Sequence, residues 1–562
     1  MRAILASLVI ILCVGMPASS QVAPPTVNIA VNYKEADGAL PPVWTYFGYD
    51  EPNYTYAPNG KKLLHELAAL SPRPVYIRVH NLLTTGDGSA SLKWGSTNVY
   101  TEDAAGNPVY SWAILDRIFD AFTEAGVKPL VELGFMPQAL STHPEPYRHK
   151  FPQESVGSIY TGWAYPPRDY RKWSDLIFHV VSHLRSRYGD AAVQSWLWEV
   201  WNEPDISYWQ GTPEEFLKLY DVSVDAISRA FPAARIGGPD TTGAGSAKSA
   251  AFLRLFLEHC THEKNFVTGQ TGTRLDFISF HPKGAPKWMG DHVQMGIANQ
   301  LNSIEKGFDI VASDTGWRRI PIILGEWDPE GCAACSAQQY PQNAYRNGPL
   351  YASYTAESLS RTLDLAHQKH VSLEGLVTWA FEFEDQPYFA GFRELATNGI
   401  DKAVLNSFRM FGLLGQERLN VTSSGALETA NIVQSGVRGA ADVNSLATRK
   451  SREVEILIWN YHDDDLAAPP VTIDLTVAGL PEDLTRAVME HFRVDADHSN
   501  AFAKWKAIGS PQSPSPIQFE EIESAGQLQL LNSPSWEPVK NGAASLHFSL
   551  PRQGLSLIRL AW

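Results

Sequence analysis

Two glutamates, Glu203 and Glu326, stand at the ends of short apolar segments that read as buried strands. Glu203 closes the run Trp-Leu-Trp-Glu-Val-Trp-Asn-Glu, and Glu326 closes the run Ile-Ile-Leu-Gly-Glu. A pair of carboxyl groups ~5–5.5 Å apart cleaves a glycosidic bond with retention, and a gap of ~6.5–9.5 Å gives inversion. If the two strands belong to one barrel, the pair predicts a glycosidase.

One strand-end glutamate alone is more often a salt-bridge or capping residue than a catalyst. Two of them on strands of one barrel reverse that expectation, because parallel barrel strands deliver their chemistry to one rim. Asn202 stands beside Glu203, where its amide can hold a sugar hydroxyl. Gly325 precedes Glu326 and permits close backbone packing.

The elements that position these residues alternate in type between about residues 43 and 414. Eight strand-like segments are separated by helical patterns, and this alternation predicts an α/β fold, the (β/α)8 TIM barrel. The predicted strands are 43–49, 75–79, 129–133, 196–201, 235–240, 277–280, 322–325 and 375–379.

The pattern changes after about Gly425, where alternating apolar and polar residues predict an accessory antiparallel β-sandwich. A strand near Thr26 has no place in the barrel and is assigned to the same sandwich. The predicted organisation is therefore a signal peptide (1–20), an N-terminal segment joining the sandwich (21–40), the barrel (41–424) and the sandwich (425–562).

The first residues have the pattern of a signal peptide, with Arg2, an apolar run over 4–14 and the small-residue site Ala18-Ser-Ser20. We therefore expect a secreted or periplasmic protein. In that setting Cys332 and Cys335 are disulfide candidates that would stiffen the loop after Glu326. A formal net charge of −15 argues against nucleic acid or an anionic membrane as partner. We expect an oligosaccharide substrate and, by default, a monomer.

The segments Trp201-Asn-Glu-Pro204 and Gly325-Glu-Trp327 resemble the acid/base and nucleophile motifs of the retaining "4/7" barrel clan. Arg78-Val-His80 and Phe280-His-Pro282 narrow the match, as do sandwich segments beginning at His498 and Gly509. Within the clan the chain resembles glycoside hydrolase family 39, the β-xylosidase and α-L-iduronidase family, over essentially the whole mature chain.

The resemblance implies roles for eight residues, two in catalysis and six in binding. Glu203 would be the general acid/base and Glu326 the nucleophile, with no metal and no cofactor. Binding roles would fall to Asn202 at the sugar 2-hydroxyl, His80 and His281 along the sugar being attacked, Trp379 beneath it, and Glu382 and Glu384 at other hydroxyls. Either histidine could instead be a packing residue.

One departure from the family's xylosidases is Lys283, which stands where they usually carry a tyrosine. A cation there would hold Glu326 ionised, or it would contact substrate or belong to the loop. The favoured reading is a retaining exo-glycosidase that releases pentose from plant cell-wall oligosaccharides, β-D-xylosidase first. Alternatives are an α-L-arabinosidase-type enzyme, an endo-acting exopolysaccharide hydrolase and, in another class, a non-catalytic carbohydrate-binding protein. An iduronidase is less favoured, because the acidic balance offers no obvious basic site for a uronate.

Overall fold

The computed structural model describes residues 25–150, 158–160 and 162–562. The predicted signal peptide lies outside these residues. Among the described helices, none has the length and apolar character needed to cross a bilayer.

Eight parallel strands close into a barrel, as the alternation predicted. Each predicted strand overlaps an observed one, because each is a short apolar run whose carboxyl end turns polar. The fifth runs two residues further than expected, to Thr242. In chain order the barrel strands are Tyr46–Tyr49, Tyr76–Val79, Lys128–Leu133, Leu197–Val200, Arg235–Thr242, Phe277–His281, Ile322–Leu324 and Leu373–Trp379.

Helices cover the barrel with apolar faces turned inward. In Ala113–Ala125 the buried residues include Leu115, Ile118 and Phe122, at helical spacing. The helix Pro213–Ala230 begins with a capping box in which Thr212 and Glu215 exchange side-chain and backbone hydrogen bonds. The other helices of this part are Pro58–Ala69, Tyr170–Tyr188, Asp190–Val193, Ala247–His262, Ile297–Ala312, Pro349–Lys369 and Ala403–Leu413.

Short elements decorate the loops around the barrel. Four are two-stranded ribbons: Tyr100–Glu102 with Pro108–Tyr110, Arg148–Lys150 with Ser158–Tyr160, Lys287–Trp288 with Val293–Gln294, and Ala396–Thr397 with Ile400–Asp401. The 3-10 turns are Pro52–Tyr54, Gln138–Leu140, Trp317–Arg319 and Pro341–Asn347.

The second domain is one curled ten-stranded sheet. Thr26–Ala39 pairs antiparallel with Glu417–Ser423 and parallel with Val471–Ala478, so the sheet is mixed rather than purely antiparallel. The sheet also begins at Glu417, eight residues before the boundary drawn at Gly425 (425 − 417). The remaining strands are Asp442–Lys450, Glu453–Tyr461, Arg486–Val494, Gln529–Leu530, Ser535–Pro538, Ala544–Leu550 and Leu555–Ala561, and the helices are Thr429–Ser435, Ala501–Ala507 and Pro516–Gly526.

The two domains share a core. Trp459, Leu457 and Leu555 of the sheet belong to the same buried cluster as the barrel, whereas Val27 and Ile473 belong to a second cluster inside the sheet domain. The indole nitrogen of Trp459 donates to Glu357 on a barrel helix. This continuous packing fixes the second domain against the barrel.

Candidate active site

The two predicted catalytic glutamates meet at the carboxyl-end rim of the barrel. Glu203 follows the fourth barrel strand and Glu326 follows the seventh. A carboxylate oxygen of each and a ring nitrogen of His281 all lie within 4.8 Å of one another. This close approach of two carboxylate oxygens suits the ~5–5.5 Å separation of a retaining pair better than the ~6.5–9.5 Å of an inverting one.

Unusual backbone conformations aim Glu203 into the site. Trp201 and Glu203 have positive φ angles of 73° and 43°. Left-handed conformations of this kind cost about 1–3 kcal/mol each and persist where the surroundings hold them. The Glu203 N–H donates to the Asp240 carbonyl at 2.9 Å, and the buried Trp201 indole donates to the Tyr208 carbonyl at 3.0 Å.

Gly325 brings the strand that delivers Glu326 close to Asp240 and His281. A β-carbon at this position would lie 2.1 Å from an Asp240 carboxylate oxygen and 2.9 Å from His281 Nε2. No side chain fits there, so glycine is what allows Glu326 to approach the histidine.

A fully buried arginine, Arg78, organises the floor of the site. Its Nε donates to Glu199 at 2.7 Å, and a terminal nitrogen lies 2.9 Å from Glu132. It also pairs with Asp240 and donates to Asn202 Oδ1 at 3.2 Å. This last bond leaves Asn202 Nδ2 without a partner among the described residues. That amide hydrogen is available for a sugar hydroxyl, as the role predicted for Asn202 requires.

His281 bridges Glu203 and the buried Asp240. Its Nδ1 lies 2.9 Å from Glu203 Oε1, and its Nε2 lies 2.8 Å from Asp240 Oδ2. Burial opposes protonation, but the charges of Asp240 and Glu326 outweigh it and raise the pKa of His281 to about 10. The ring is therefore an imidazolium at neutral pH that donates from Nδ1 to Glu203, holds Glu203 in one orientation and forms an ion pair with Asp240 on its Nε2 side.

Lys283 contacts Glu326 directly. Its ammonium lies 2.6 Å from Glu326 Oε2 and 2.9 Å from Asp328 Oδ2. Burial raises the pKa of Glu326, but Lys283, His281 and His80 reverse this effect and hold that pKa well below its usual range. Glu326 is thus an ionised carboxylate. An ammonium already at this carboxylate also opposes a metal cation on electrostatic grounds, although the two glutamates and His281 have ligand-like spacing.

His80 stands on the other side of Glu326, with its Nε2 3.5 Å from Glu326 Oε1. Its Nδ1 lies 2.9 Å from Asp50, and its ring packs on Trp379 with centroids 4.4 Å apart. Burial lowers the pKa of His80, whereas Glu132 and Asp50 raise it, with a net value of about 9. Trp379 is fully buried beneath this histidine, and its indole donates to Asp50 at 3.3 Å.

The pocket lined by Glu203 and Glu326, called the catalytic pocket below, encloses about 360 Å³. Its wall includes Lys93, whose ammonium is paired with Asp50 at 2.7 Å. Gly331 and Cys332 of the loop after Glu326 complete one side. The pocket-lining residues are Asp50, His80, Lys93, Asn202, Glu203, Ile206, Tyr208, Thr242, Lys283, Glu326, Gly331 and Cys332.

A disulfide joins Cys332 and Cys335, and a buried arginine holds the same loop. Arg346 donates to the Cys332 carbonyl at 2.6 Å and to the Cys335 carbonyl at 2.7 Å. Its guanidinium also pairs with Glu330 at 2.5 Å. This part of the pocket wall is therefore anchored from behind rather than left to loop flexibility.

Two predicted substrate ligands lie elsewhere. The carboxylate of Glu382 is buried and accepts from the Gly399 N–H, and burial raises its pKa to about 8. Glu384 accepts from the backbone and side chain of Asn59 at 2.9 Å, which satisfies an amide in the first turn of a helix. The structure does not bring either carboxylate to the catalytic pocket.

Several residues of the site were not among the predicted ones. Asp240 ends a predicted strand and Asp50 directly follows one, and this position is the signal that could have found them. Arg78 stood in a family-like motif but was given no role. Lys93 and Tyr208 come from long loops, and nothing in the local sequence marks them as pocket residues.

The geometry fits double displacement at a glycosidic bond. Glu326 is ionised, as a nucleophile must be, and the nearby Glu203 is the second carboxyl group that such a mechanism needs. Asn202 offers a free amide beside both.

Comparisons with known proteins agree with this chemistry. A model of "Glycosyl hydrolases family 39" matches residues 29–536. A β-xylosidase of Geobacillus stearothermophilus is 25% identical over 470 residues, covering 80% of this chain and 79% of its own. An α-L-iduronidase of Mus musculus is 26% identical over 418 residues, covering 69% and 62%.

Solved structures show the same fold. A monomeric β-xylosidase from Caulobacter crescentus CB15 superposes with a TM-score of 0.74 at 20% identity, covering 95% of this chain and 99% of that one. A bacterial orthologue of human α-L-iduronidase gives 0.75 at 20% identity, covering 96% and 84%. Because the family model matches most of the chain, the chain belongs to glycosyl hydrolase family 39 and is a retaining glycoside hydrolase.

Proposed function

We propose that the enzyme is an exo-acting β-D-xylosidase that releases xylose from plant cell-wall oligosaccharides. The observation that carries the proposal is the charge balance of the pocket. Lys93 is paired with Asp50, and Lys283 with Glu326 and Asp328, so each lysine ammonium in the wall already has an acidic partner. A pocket with neutralised cations suits a neutral sugar better than an anionic one.

The reaction would proceed in two steps. Glu203 protonates the leaving oxygen while Glu326 attacks the anomeric carbon and forms a glycosyl-enzyme. Water then enters, Glu203 removes its proton, and the sugar leaves with its original configuration. Asn202 Nδ2 donates to the 2-hydroxyl, a contact that strengthens in the transition state.

A uronic acid is the second candidate, because two lysine ammoniums line the pocket. A substrate carboxylate would have to compete with Glu326 and Asp328 for Lys283. The α-L-arabinopyranoside remains a further neutral alternative, since it differs from the β-D-xyloside only in the direction of one hydroxyl.

Hydrolysis of a panel of aryl glycosides tests the proposal. The panel holds the β-D-xyloside, the α-L-arabinopyranoside, the α-L-arabinofuranoside and the α-L-iduronide. We expect the β-D-xyloside to be cleaved fastest and its cleavage to vanish in Glu326→Ala. Preferential cleavage of the iduronide would overturn the assignment of a neutral sugar, and silence across the panel would point to an endo-acting hydrolase of a longer glycan.

We also propose that the protein is exported and works as a monomer. The N-terminal pattern of charge, apolar run and small residues supports export, as does a pair of cysteines whose disulfide an oxidising compartment would preserve. Fractionation of the native host and light scattering of the purified protein are the respective tests.

A further inference from the structure

A second cavity of about 590 Å³ opens beside the catalytic pocket. The two cavities share Glu203, Thr242 and Lys283, whereas Glu326 lines only the catalytic pocket of these two. Because the general acid protonates the oxygen of the departing group, that group must lie on the Glu203 side of the broken bond. The second cavity begins at that side, and its volume falls within the ~300–1,000 Å³ typical of ligand sites.

The walls of this cavity come from both domains. Asn299 and Asn302 belong to the barrel helix Ile297–Ala312, and Val433 and Gln434 belong to the helix Thr429–Ser435 of the second domain. The complete lining is Glu203, Thr242, Gly243, Gly245, Ser246, His281, Lys283, Ala298, Asn299, Asn302, Ser303, Val433 and Gln434.

The chemistry of the lining selects its ligand. Three lining residues are titratable: Glu203, His281 and Lys283. His281 contacts Glu203, and Lys283 contacts Glu326. Every other lining residue is uncharged. Asn299, Asn302 and Gln434 present three side-chain amides that hydrogen-bond to no described residue. Among the described residues the lining contains no Trp, Tyr or Phe, so none of these provides a stacking surface. Free amides provide donors and acceptors for hydroxyl groups, and nothing in the wall compensates an anion.

We propose that this second cavity binds the departing part of the substrate, and that this part is a neutral oligosaccharide. The proposal rests on the glycosidase activity proposed above and adds the chemical class of the leaving group. It also gives the second domain a direct share in substrate recognition through Gln434.

The double variant Asn302→Ala/Gln434→Ala tests the proposal against the wild type. The matched control is Asn431→Ala, which removes an exposed amide from the same short helix outside the cavity. For each protein kcat/KM is measured on β-1,4-xylotriose and on p-nitrophenyl β-D-xyloside. We expect the double variant to lose about tenfold on xylotriose and less than about twofold on the aryl glycoside, because two hydrogen bonds to the leaving sugars are removed. The control should match the wild type on both substrates.

If the double variant loses equally on both substrates, or loses nothing on xylotriose, the proposal for the second cavity is wrong. Cleavage of the aryl xyloside by the wild type would still support the proposed function. A wild type that cleaves neither substrate would refute the proposed sugar. In that case binding is measured instead of turnover, by calorimetric titration of Glu326→Ala with neutral oligosaccharides. Weaker binding after the double substitution would support the second cavity as their site, and unchanged binding would overturn it.

Discussion

Replacing Lys283 by methionine should raise the pH at which activity is lost on acidification. Glu326 works as a nucleophile only when ionised, and Lys283 holds it ionised from 2.6 Å. With an effective dielectric constant of ~20, one pair of unit charges at that distance of 2.6 Å interacts by about 6 kcal/mol. Asp328 shares the ammonium at 2.9 Å, so we assign roughly half of this energy, about 3 kcal/mol, to Glu326.

Loss of that energy raises the pKa of Glu326 in Lys283→Met, because a nearby opposite charge favours the ionised form of a carboxyl group. The sign follows from the ionised form being active: the higher pKa means that activity is lost at a higher pH as the solution is acidified. The pH profile of kcat/KM on an aryl glycoside measures this limb. Lys283→Arg, which keeps the charge, is the control. An acidic limb that stays in place in a folded Lys283→Met protein would refute the reasoning.

Three further substitutions probe other parts of the account. Glu203→Gln should lower turnover by orders of magnitude on oligosaccharides but much less on glycosides with activated leaving groups, and steady-state kinetics on both would show this. Equal losses on the two substrate kinds would remove Glu203 from the acid role. Asp240→Asn should destabilise the protein by about 3 kcal/mol, because it removes a buried partner of Arg78; urea unfolding measures this, and unchanged stability would contradict it. Cys332→Ala/Cys335→Ala should cost at most about 2 kcal/mol, because a short loop loses little entropy on closure, and a larger loss in the same assay would require another explanation.

The barrel was readable from the sequence because its strands are local patterns. Each apolar run ends in polar residues, and this is what located Glu203 and Glu326 at one rim. In the second domain the pattern missed the helix Pro516–Gly526, although Ser515 and Gln518 form a capping box that marks its start. The boundary was drawn late because Glu417–Ser423 directly follows a barrel helix and carries little apolar alternation.

The sequence predicted the site less well where it depends on contacts between residues that are far apart in the chain. Glu382 and Glu384 follow a barrel strand as predicted ligands should, yet the loop directs them to Gly399 and Asn59. Lys93 reaches the pocket through a loop contact with Asp50 that no periodicity encodes. Conversely, the placement of Lys283 beside Glu326 was one of three interpretations that the sequence left open, and the structure selects it.

Trapping the covalent intermediate tests the central claim most directly. A 2-fluoro analogue of the sugar identified by the aryl glycoside panel, with an activated leaving group, slows breakdown of the glycosyl-enzyme and allows peptide mapping by mass spectrometry. We predict a single added sugar on the peptide that contains Glu326. A label on Glu203 or another residue, or turnover with inverted configuration and no label, would contradict the assignment of Glu326 as the nucleophile.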